Sequence, residues 1–326
     1  MRWEDGPRSD NIEDRRGDGG GGGGGGGGGF SLPVGTGGLG IGTVIILCVI
    51  GYFTGIDPRI LIGGAQVVTG NGGSQYSRPS DDGQYSGNRQ AQRQAGGQQA
   101  DNQPAGGSQQ RRPSDQMGDF VSAVLGDTEA VWGEVLPAQK GIDYVPPRLV
   151  LYSGVTRSGC GQAQSAMGPF YCPVDRKVYL DMSFFNDMKR KLGGGGDFAY
   201  AYVIAHEIGH HVQNLLGILG KAHQAMQDGD EQQSNAISVR LELQADCFAG
   251  VWANHADQKF HILEQGDVDK ALSTAAAIGD DRLQKQSQGY AVPDSFTHGT
   301  SQQRQQWLTA GLKSGKIDSC NTFAQR

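Results

Sequence analysis

Apolar and polar positions divide the chain into a rear part with periodic segments and a front part without them. From residue 119 onward, apolar residues such as Phe120, Val124 and Val131 recur at helical spacing. Residues 148–153 have the pattern of a short strand. Residues 169–181 have the pattern of a hairpin, with a Pro-Val-Asp-Arg turn between two apolar strands.

Four further helices are predicted after a four-glycine loop at residues 193–196. Asp197 is expected to cap the first of them, which runs to the glycines at 217 and 220. A polar loop is expected up to about residue 233, and the other helices cover about residues 234–255, 268–286 and 301–314. Residues 119–326 are therefore predicted to form one α+β domain, mainly helical, with a small β-sheet at its front.

The front part differs in composition. Of the 54 glycines, 32 fall in the first 118 residues, and eleven of them form the run 19–29. No G-X-Y period is present, so a collagen triple helix is excluded. Residues 1–33, charged and then glycine-rich, are predicted to be disordered, and residues 57–118, rich in Gly, Gln and Ser, are predicted to be a disordered linker.

Between these segments, residues 34–56 contain no charged side chain over 23 positions, and a membrane-spanning helix needs about 20. We expect a single transmembrane helix here. A buried helix of a soluble domain and a cleaved signal peptide are the alternatives, but the preceding charged region is long for a signal peptide. Two G-x-x-x-G pairs in this segment leave the homo-oligomeric state open.

A net charge of −6 without any basic block argues against a nucleic-acid partner. The chemistry is concentrated instead in the string His206-Glu207-Ile208-Gly209-His210-His211. His206 and His210 lie one helical turn apart on one face, the geometry in which two imidazoles bind one Zn²⁺. Glu207 points away from that face and can act as a general base. His211 is expected to be a structural polar residue.

A catalytic zinc ion usually has a third protein ligand and one open position. Glu242 is the preferred third ligand, and Asp246, four residues on, is expected to accept a hydrogen bond from a ligand histidine. Small residues around this pair and Gly209 would let the two helices approach closely. The competing third ligands are His223, Asp228, Asp230, Glu231 and His255.

These residues resemble the gluzincin metallopeptidases, in which H-E-x-x-H is paired with a downstream glutamate ligand. The chain is closer still to the neutral zinc metallopeptidases of bacteria, through MRWEDGPRSDNIEDRRG, GCGQAQSAMGPFYCP, HEIGHHVQ, LELQADCFAG and FTHGTSQQRQQW. The resemblance covers essentially the whole chain. It implies a zincin-like, membrane-anchored zinc peptidase that acts on proteins or peptides, and it names no substrate.

The expected mechanism uses one Zn²⁺ per chain and Glu207 as the base for hydrolysis of a peptide bond. His298, Tyr290 and His211 are candidates for the donor that stabilises the oxyanion, with His298 preferred, although its loop could equally be a helix cap. The strand at residues 168–171 could hold substrate at a sheet edge or be plain core. A catalytically inactive, zinc-stabilised scaffold or binding module is the alternative function.

The five cysteines indicate the cellular compartment of the rear domain. Cys48 lies in the predicted span, and the other four permit three pairings. The short loop between Cys160 and Cys172 favours a local bridge, which leaves Cys247 for Cys320. Disulfides indicate an oxidising compartment. We therefore expect a single-pass protein of the bacterial inner membrane, in contact with lipid, with a cytoplasmic N-terminus and a periplasmic or otherwise extracytoplasmic catalytic domain.

Overall fold

The computed structural model describes residues 1–17, 113, 115–191 and 195–324. The predicted transmembrane helix at 34–56 and nearly all of the predicted linker lie outside these residues. Among the helices that are described, none combines the length and the hydropathy that a membrane span requires.

The described residues form eight α-helices and six strands, and the architecture is α+β, mainly helical, as predicted. The strands are β1 (Ile12–Asp14), β2 (Arg148–Tyr152), β3 (Val155–Ser158), β4 (Gly161–Gln164), β5 (Phe170–Cys172) and β6 (Lys177–Asp181). The helices are α1 (Gln116–Lys140), α2 (Ser183–Lys191), α3 (Asp197–Leu215), α4 (Ile218–Asp228), α5 (Glu231–Phe260), α6 (Asp267–Ala277), α7 (Asp280–Gln288) and α8 (Ser301–Ser314).

Four strands form one sheet in the order β1-β2-β6-β5. The pairs β1–β2 and β2–β6 are parallel, whereas β5 runs antiparallel to β6 as the other half of the predicted hairpin. Strands β3 and β4 form a separate antiparallel ribbon that the pattern did not predict. β5 is thus an edge strand, and it lies against α3, where the Tyr171 hydroxyl meets His211 and Asn214.

The prediction of a disordered segment at 1–33 is wrong for residues 1–17, hereafter the N-terminal segment. Its strand β1 extends the sheet, and Met1, Trp3 and Ile12 are buried in the main hydrophobic core. Trp3 packs edge-on against Phe120 of α1, with ring centroids 5.4 Å apart. The charged side chains of this segment point outward or form ion pairs, while a few apolar side chains point into the domain. A high charge is therefore compatible with a folded segment, and the prediction did not allow for this.

Two predicted helix boundaries also change. The expected polar loop before residue 233 contains α4, and the expected helix at 268–286 is broken into α6 and α7. The break lies at Gly279, where a Cβ would stand 2.3 Å from the backbone nitrogen of Ser301. Asp197 is the first residue of α3 rather than its cap, and its carboxylate accepts a hydrogen bond from the Trp3 indole.

Helix α5 is the centre of the helical part, because α3 packs on one side of it and α8 on another. A Cβ on Gly209 of α3 would stand 2.9 Å from the Ala245 carbonyl oxygen of α5, and a Cβ on Gly311 of α8 would stand 1.9 Å from the Cys247 carbonyl oxygen. Only glycine permits approaches this close. The cysteines form the two favoured disulfides, Cys160–Cys172 and Cys247–Cys320.

Candidate metal centre

Helices α3 and α5 bring three predicted metal ligands together. His206 and His210 project from one face of α3, and Glu242 faces them from α5. The Nε2 atom of His206 lies 3.1 Å from Glu242 Oε2, and the Nε2 atom of His210 lies 3.4 Å from Glu242 Oε1. One donor atom from each residue fits within 4.8 Å of the others, and no second group of this kind was found among the described residues.

The competing third ligands lie outside this group. Asp230 caps α5, where its carboxylate accepts the backbone N–H of Gln233. His255 contacts the Gly315 carbonyl oxygen at 2.8 Å, and His223 contacts Gln227 within α4. Asp228 and Glu231 do not belong to the cluster either. Geometry therefore selects Glu242 from the candidates that the sequence left open.

The far side of His206 is held by a fully buried hydrogen-bond network. His206 Nδ1 lies 2.9 Å from Asp246 Oδ1, so Asp246 takes the predicted position behind a ligand histidine. The same carboxylate accepts the Tyr202 hydroxyl at 2.6 Å and two guanidinium contacts from Arg304, at 2.8 and 2.9 Å. This arrangement presents Nε2 of His206, with its lone pair, to the metal position.

Sequence reasoning missed Tyr202 and Arg304. Arg304 lies in the string QQRQQW of α8, where polar neighbours make it look like a surface residue, yet only 2% of its area is exposed. Its burial depends on Asp246, 58 positions earlier, because a buried guanidinium needs a buried carboxylate. One feature of the sequence could have indicated Arg304: Asp246, once it is expected to be buried, needs a cationic partner.

His210 is held in a different way, by neutral amides. Its Nδ1 lies 2.9 Å from the side-chain oxygen of Gln213, one turn further along α3. The Gln213 amide nitrogen donates to the Leu241 carbonyl oxygen and to the side-chain oxygen of Gln244. Gln213 is fully buried, so its amide orientation is tied to α5, and the two ligand-bearing helices are joined directly behind the site.

The electrostatics of the cluster favour a positive charge at its centre. Burial opposes protonation of His206, but hydrogen bonds to Asp246 and Glu242 and their charges raise its pKa to about 10. Burial also opposes ionisation of Glu242, yet the neighbouring histidines hold the pKa of this carboxyl well below its usual range. Two carboxylates thus face two imidazoles, and a divalent cation bound by these nitrogen and oxygen donors would balance the same negative charge.

Glu207 is buried beside the cluster without belonging to it. Burial raises the pKa of its carboxyl, while the charges of His206 and His210 oppose that shift. The backbone of Tyr171, on edge strand β5, interacts with this carboxylate and lowers its pKa. The general-base candidate therefore lies between the predicted ligand histidines and edge strand β5.

His211 has the structural role that was expected by default. Its Nε2 lies 2.7 Å from the Val145 carbonyl oxygen, and its Nδ1 lies 3.0 Å from the Tyr171 hydroxyl. Burial lowers its pKa to about 4, so it is a neutral imidazole that donates to the carbonyl and accepts from the phenol. Its contacts fix β5 against α3.

His298 lies close to Glu242 in a buried loop before α8. Burial opposes its protonation, but the charges of Glu242 and Asp280 raise its pKa. Its Nδ1 is 3.3 Å from Asp280 Oδ1, and Asp280 Oδ2 accepts the backbone N–H groups of residues 297, 298 and 299. The sequence did not point to Asp280, which holds the loop. Tyr290, another oxyanion candidate, is 63% exposed.

The fold and the site together define a class: an α+β protein whose two central helices carry a partly buried group of two histidines and a glutamate, with a buried glutamate beside it. The chain belongs to the family described as "Putative neutral zinc metallopeptidase", which matches residues 1–323. The family accounts for the H-E-x-x-H string, for which zinc is the expected metal.

Two groups of relatives are similar to this chain. Uncharacterized protein YpfJ of Escherichia coli strain K12 is 47% identical over 325 residues, which cover 100% of this chain and 99% of the relative. Uncharacterized protein Rv2575 of Mycobacterium tuberculosis strain H37Rv is 44% identical over 214 residues, 63% of this chain and 70% of the relative. No solved structure matches the chain.

Proposed function

We propose that this protein is a zinc-dependent peptidase that works at a bacterial membrane. The observation that carries the proposal is the convergence of His206, His210 and Glu242, with Glu207 buried beside them. Two imidazoles and one carboxylate form the ligand set of zinc peptidases of the thermolysin type. One Zn²⁺ per chain, when bound there, would act as a Lewis acid that activates water and polarises a peptide carbonyl.

Glu207 would be the general base. Its carboxylate accepts a proton from the attacking water as the carbonyl carbon is attacked, and then delivers that proton to the departing amine nitrogen. Burial supports this cycle because the raised pKa brings the carboxyl nearer to the working pH. The interaction with the Tyr171 backbone associates the carboxylate with the edge strand, where the scissile bond would lie.

His298 would donate a hydrogen bond to the oxyanion that develops on the carbonyl oxygen. It is partly buried near Glu242, and its Nδ1 lies by the Asp280 carboxylate and the Thr297 hydroxyl, which fix the ring. Loss of one such donor commonly reduces kcat by about 10²–10³-fold. Asp280 would then be a positioning residue, because it acts on the substrate through His298.

The substrate would be an extended protein or peptide segment, paired with β5 in the manner of an added strand. β5 is a sheet edge, and the backbone of Tyr171 in it interacts with Glu207, so a strand paired with this edge would lie near the base. A net charge of −6 disfavours nucleic acid as a partner.

We place the catalytic domain outside the cytoplasm, at the inner membrane. The two disulfides support this, because they persist in oxidising compartments. The uncharged residues 34–56 support contact with lipid.

The test is Glu207→Gln, with purified protein assayed for zinc content and for cleavage of casein. We expect wild type to hold one zinc and to cleave, and Glu207→Gln to hold one zinc with kcat lower by about 10²–10⁴-fold. Glu134→Gln, on the exposed face of α1, is the matched control and should keep full activity.

Bound zinc without cleavage in the wild type would favour the alternative, a zinc-stabilised scaffold or binding module. Unchanged activity in Glu207→Gln would remove this residue as the base while leaving the metal site in place. The two outcomes are separable because metal content is measured independently of turnover.

A further inference from the structure

The N-terminal segment is built into the catalytic domain along its whole length. β1 pairs with β2 from Ile12↔Leu149 to Asp14↔Leu151. Nearer the start, the Ser9 N–H donates to the Ser122 carbonyl oxygen at 3.0 Å, and the Ser122 hydroxyl donates back to the Ser9 carbonyl oxygen at 2.9 Å. This reciprocal pair ties the segment to α1.

The packing against α1 is close enough to demand small residues. A Cβ on Gly126 would stand 2.7 Å from the Pro7 carbonyl oxygen. Arg8 forms a two-pronged ion pair with Asp119 at 2.7 and 3.0 Å, and its guanidinium also binds the Gly6 carbonyl oxygen. The domain surface is therefore shaped for this segment, and removing the segment would expose part of the core.

The two ends of the intervening chain, residues 18–112, are joined at the domain surface. Arg16 Nη2 lies 2.6 Å from the Asp14 carboxylate and 2.6 Å from the carboxylate of Asp115, the cap of α1. The chain thus leaves the domain and returns to it at one place.

We propose that the N-terminal segment and the catalytic domain lie on the same side of the membrane, so that residues 34–56 do not cross it as a single pass. A single crossing would put residue 17 and residue 115 in different compartments, whereas the β1–β2 pairing and the Arg16–Asp115 ion pair require one compartment. A segment supplied by a second copy obeys the same constraint. This replaces the expected arrangement, with a cytoplasmic N-terminus and an extracytoplasmic domain.

The composition of residues 34–56 does not by itself require a helix that crosses the whole membrane. Seven of the 23 residues from 34 to 56 are glycine, and the longest glycine-free run among them is residues 43–50. Two crossings would need about 40 apolar residues, more than the 23 of this segment, so an arrangement with both ends on one side is an interfacial or re-entrant one. Contact with lipid from one face is therefore compatible with the fold.

The first experiment is cross-linking of the full chain in native bacterial membranes. Arg8→Cys and Asp119→Cys are combined in a Cys48→Ser background, with a protease site inserted between residues 100 and 101. A short permeant bismaleimide is added to intact cells, and the chain is cut after denaturation. We expect the two fragments to stay covalently joined, as efficiently as in detergent, and the single Arg8→Cys variant to separate.

The second experiment reports the compartment without requiring that the segment be docked. Asp5→Cys in the N-terminal segment and Gln286→Cys on α7 are exposed single sites in the same background. Each is treated in intact spheroplasts with a membrane-impermeant maleimide. Labelling of both sites, or of neither until lysis, supports the proposal. Labelling of only one site, or cross-linking that is absent or appears only after detergent, overturns it.

Neither readout depends on zinc or on peptide cleavage. A failure of the peptidase proposal would therefore leave this inference standing, and a failure of this inference would leave the metal site standing.

Discussion

At the residue scale, the candidate metal position depends on an arginine that is not one of the three predicted ligands. Arg304 compensates the buried charge of Asp246, and Asp246 orients His206. Without Arg304, the buried carboxylate of Asp246 would have no cationic partner, which would destabilise the fold. His206 would also lose its fixed orientation, which would weaken metal binding.

Arg304→Met should therefore lower the free energy of unfolding by about 3–5 kcal/mol and weaken zinc affinity by about 10–100-fold. Arg304→Lys keeps the charge without the planar fork, and should fall between wild type and Arg304→Met. Urea unfolding and a competition titration with a chelator of known affinity measure the two effects. Arg282→Met, on the exposed face of α7, is the control. Unchanged zinc affinity in a folded Arg304→Met protein would contradict the positioning role.

Asp127 of α1 is a second buried acid, and it lies under the N-terminal segment next to Gly6. Neither of its carboxylate oxygens has a hydrogen-bond partner among the described residues. Burial raises its pKa to about 7, and the charge of Arg8 opposes that shift. The folded state thus binds this proton more tightly than the unfolded state, so its contribution to stability is lost as pH rises from about 4 to 7.

We expect Asp127→Asn, which cannot ionise, to gain about 2–3 kcal/mol relative to wild type between pH 5 and pH 8. The measurement is urea unfolding of both proteins at the two pH values, with Asp269→Asn on the first turn of α6 as a surface control. A difference between the two proteins that does not change with pH would show that Asp127 titrates in its ordinary range.

At the element scale, the site depends on how closely α3 and α5 approach. His206 and His210 are placed by the helix period alone, but their distance to Glu242 depends on the contact at Gly209. Backbone atoms of Ala245 lie 2.9 and 3.1 Å from the position of a Cβ there, so a side chain would push the helices apart. Movement of this kind separates the third ligand from the first two.

Gly209→Ala should lower the free energy of unfolding by about 1–3 kcal/mol and weaken zinc binding, although alanine favours helices. Gly220→Ala in α4 is the matched control, because no atom lies within 4 Å of its Cβ position. That control should be neutral or more stable by up to about 1 kcal/mol. Equal effects of the two substitutions would show that the helix contact is not what sets the ligand spacing.

At the scale of the whole molecule, the two disulfides close loops of very different length. Cys247–Cys320 joins the ligand-bearing helix α5 to the C-terminal tail over 73 residues, and Cys160–Cys172 closes a loop of 12. Loop-closure entropy predicts a stabilisation of about 4 kcal/mol for the long loop and about 3 kcal/mol for the short one. Cys247 also directly follows Asp246, so the long bridge adjoins the residue that orients a predicted metal ligand.

Paired Cys→Ser substitutions test this difference by urea unfolding and zinc titration. Removal of Cys247 and Cys320 should destabilise the protein more and should also weaken zinc binding, whereas removal of Cys160 and Cys172 should leave zinc affinity unchanged. The reverse order of stability, or a loss of zinc affinity in the short-loop variant, would contradict the assignment.

The sequence by itself determined what depends on near neighbours. The helix period placed His206, Glu207 and His210 correctly relative to one another, and alternation predicted β2 and the β5–β6 hairpin, because both patterns act over a few residues. Glu242 stayed one of several candidates for the same reason, since its distance to α3 is not a local property. Helix breaks such as that at Gly279 were missed because the contact that causes them comes from α8.

Only the tertiary structure decided what depends on partners far along the chain. It turned a charged N-terminal segment into a strand beside β2, buried Arg304 against Asp246, and set Asp280 behind His298. In each case a polar or charged residue is satisfied by a group that sequence spacing does not bring near. The physical reason is that burial of charge requires a specific partner, and only the folded chain determines which residue that partner is.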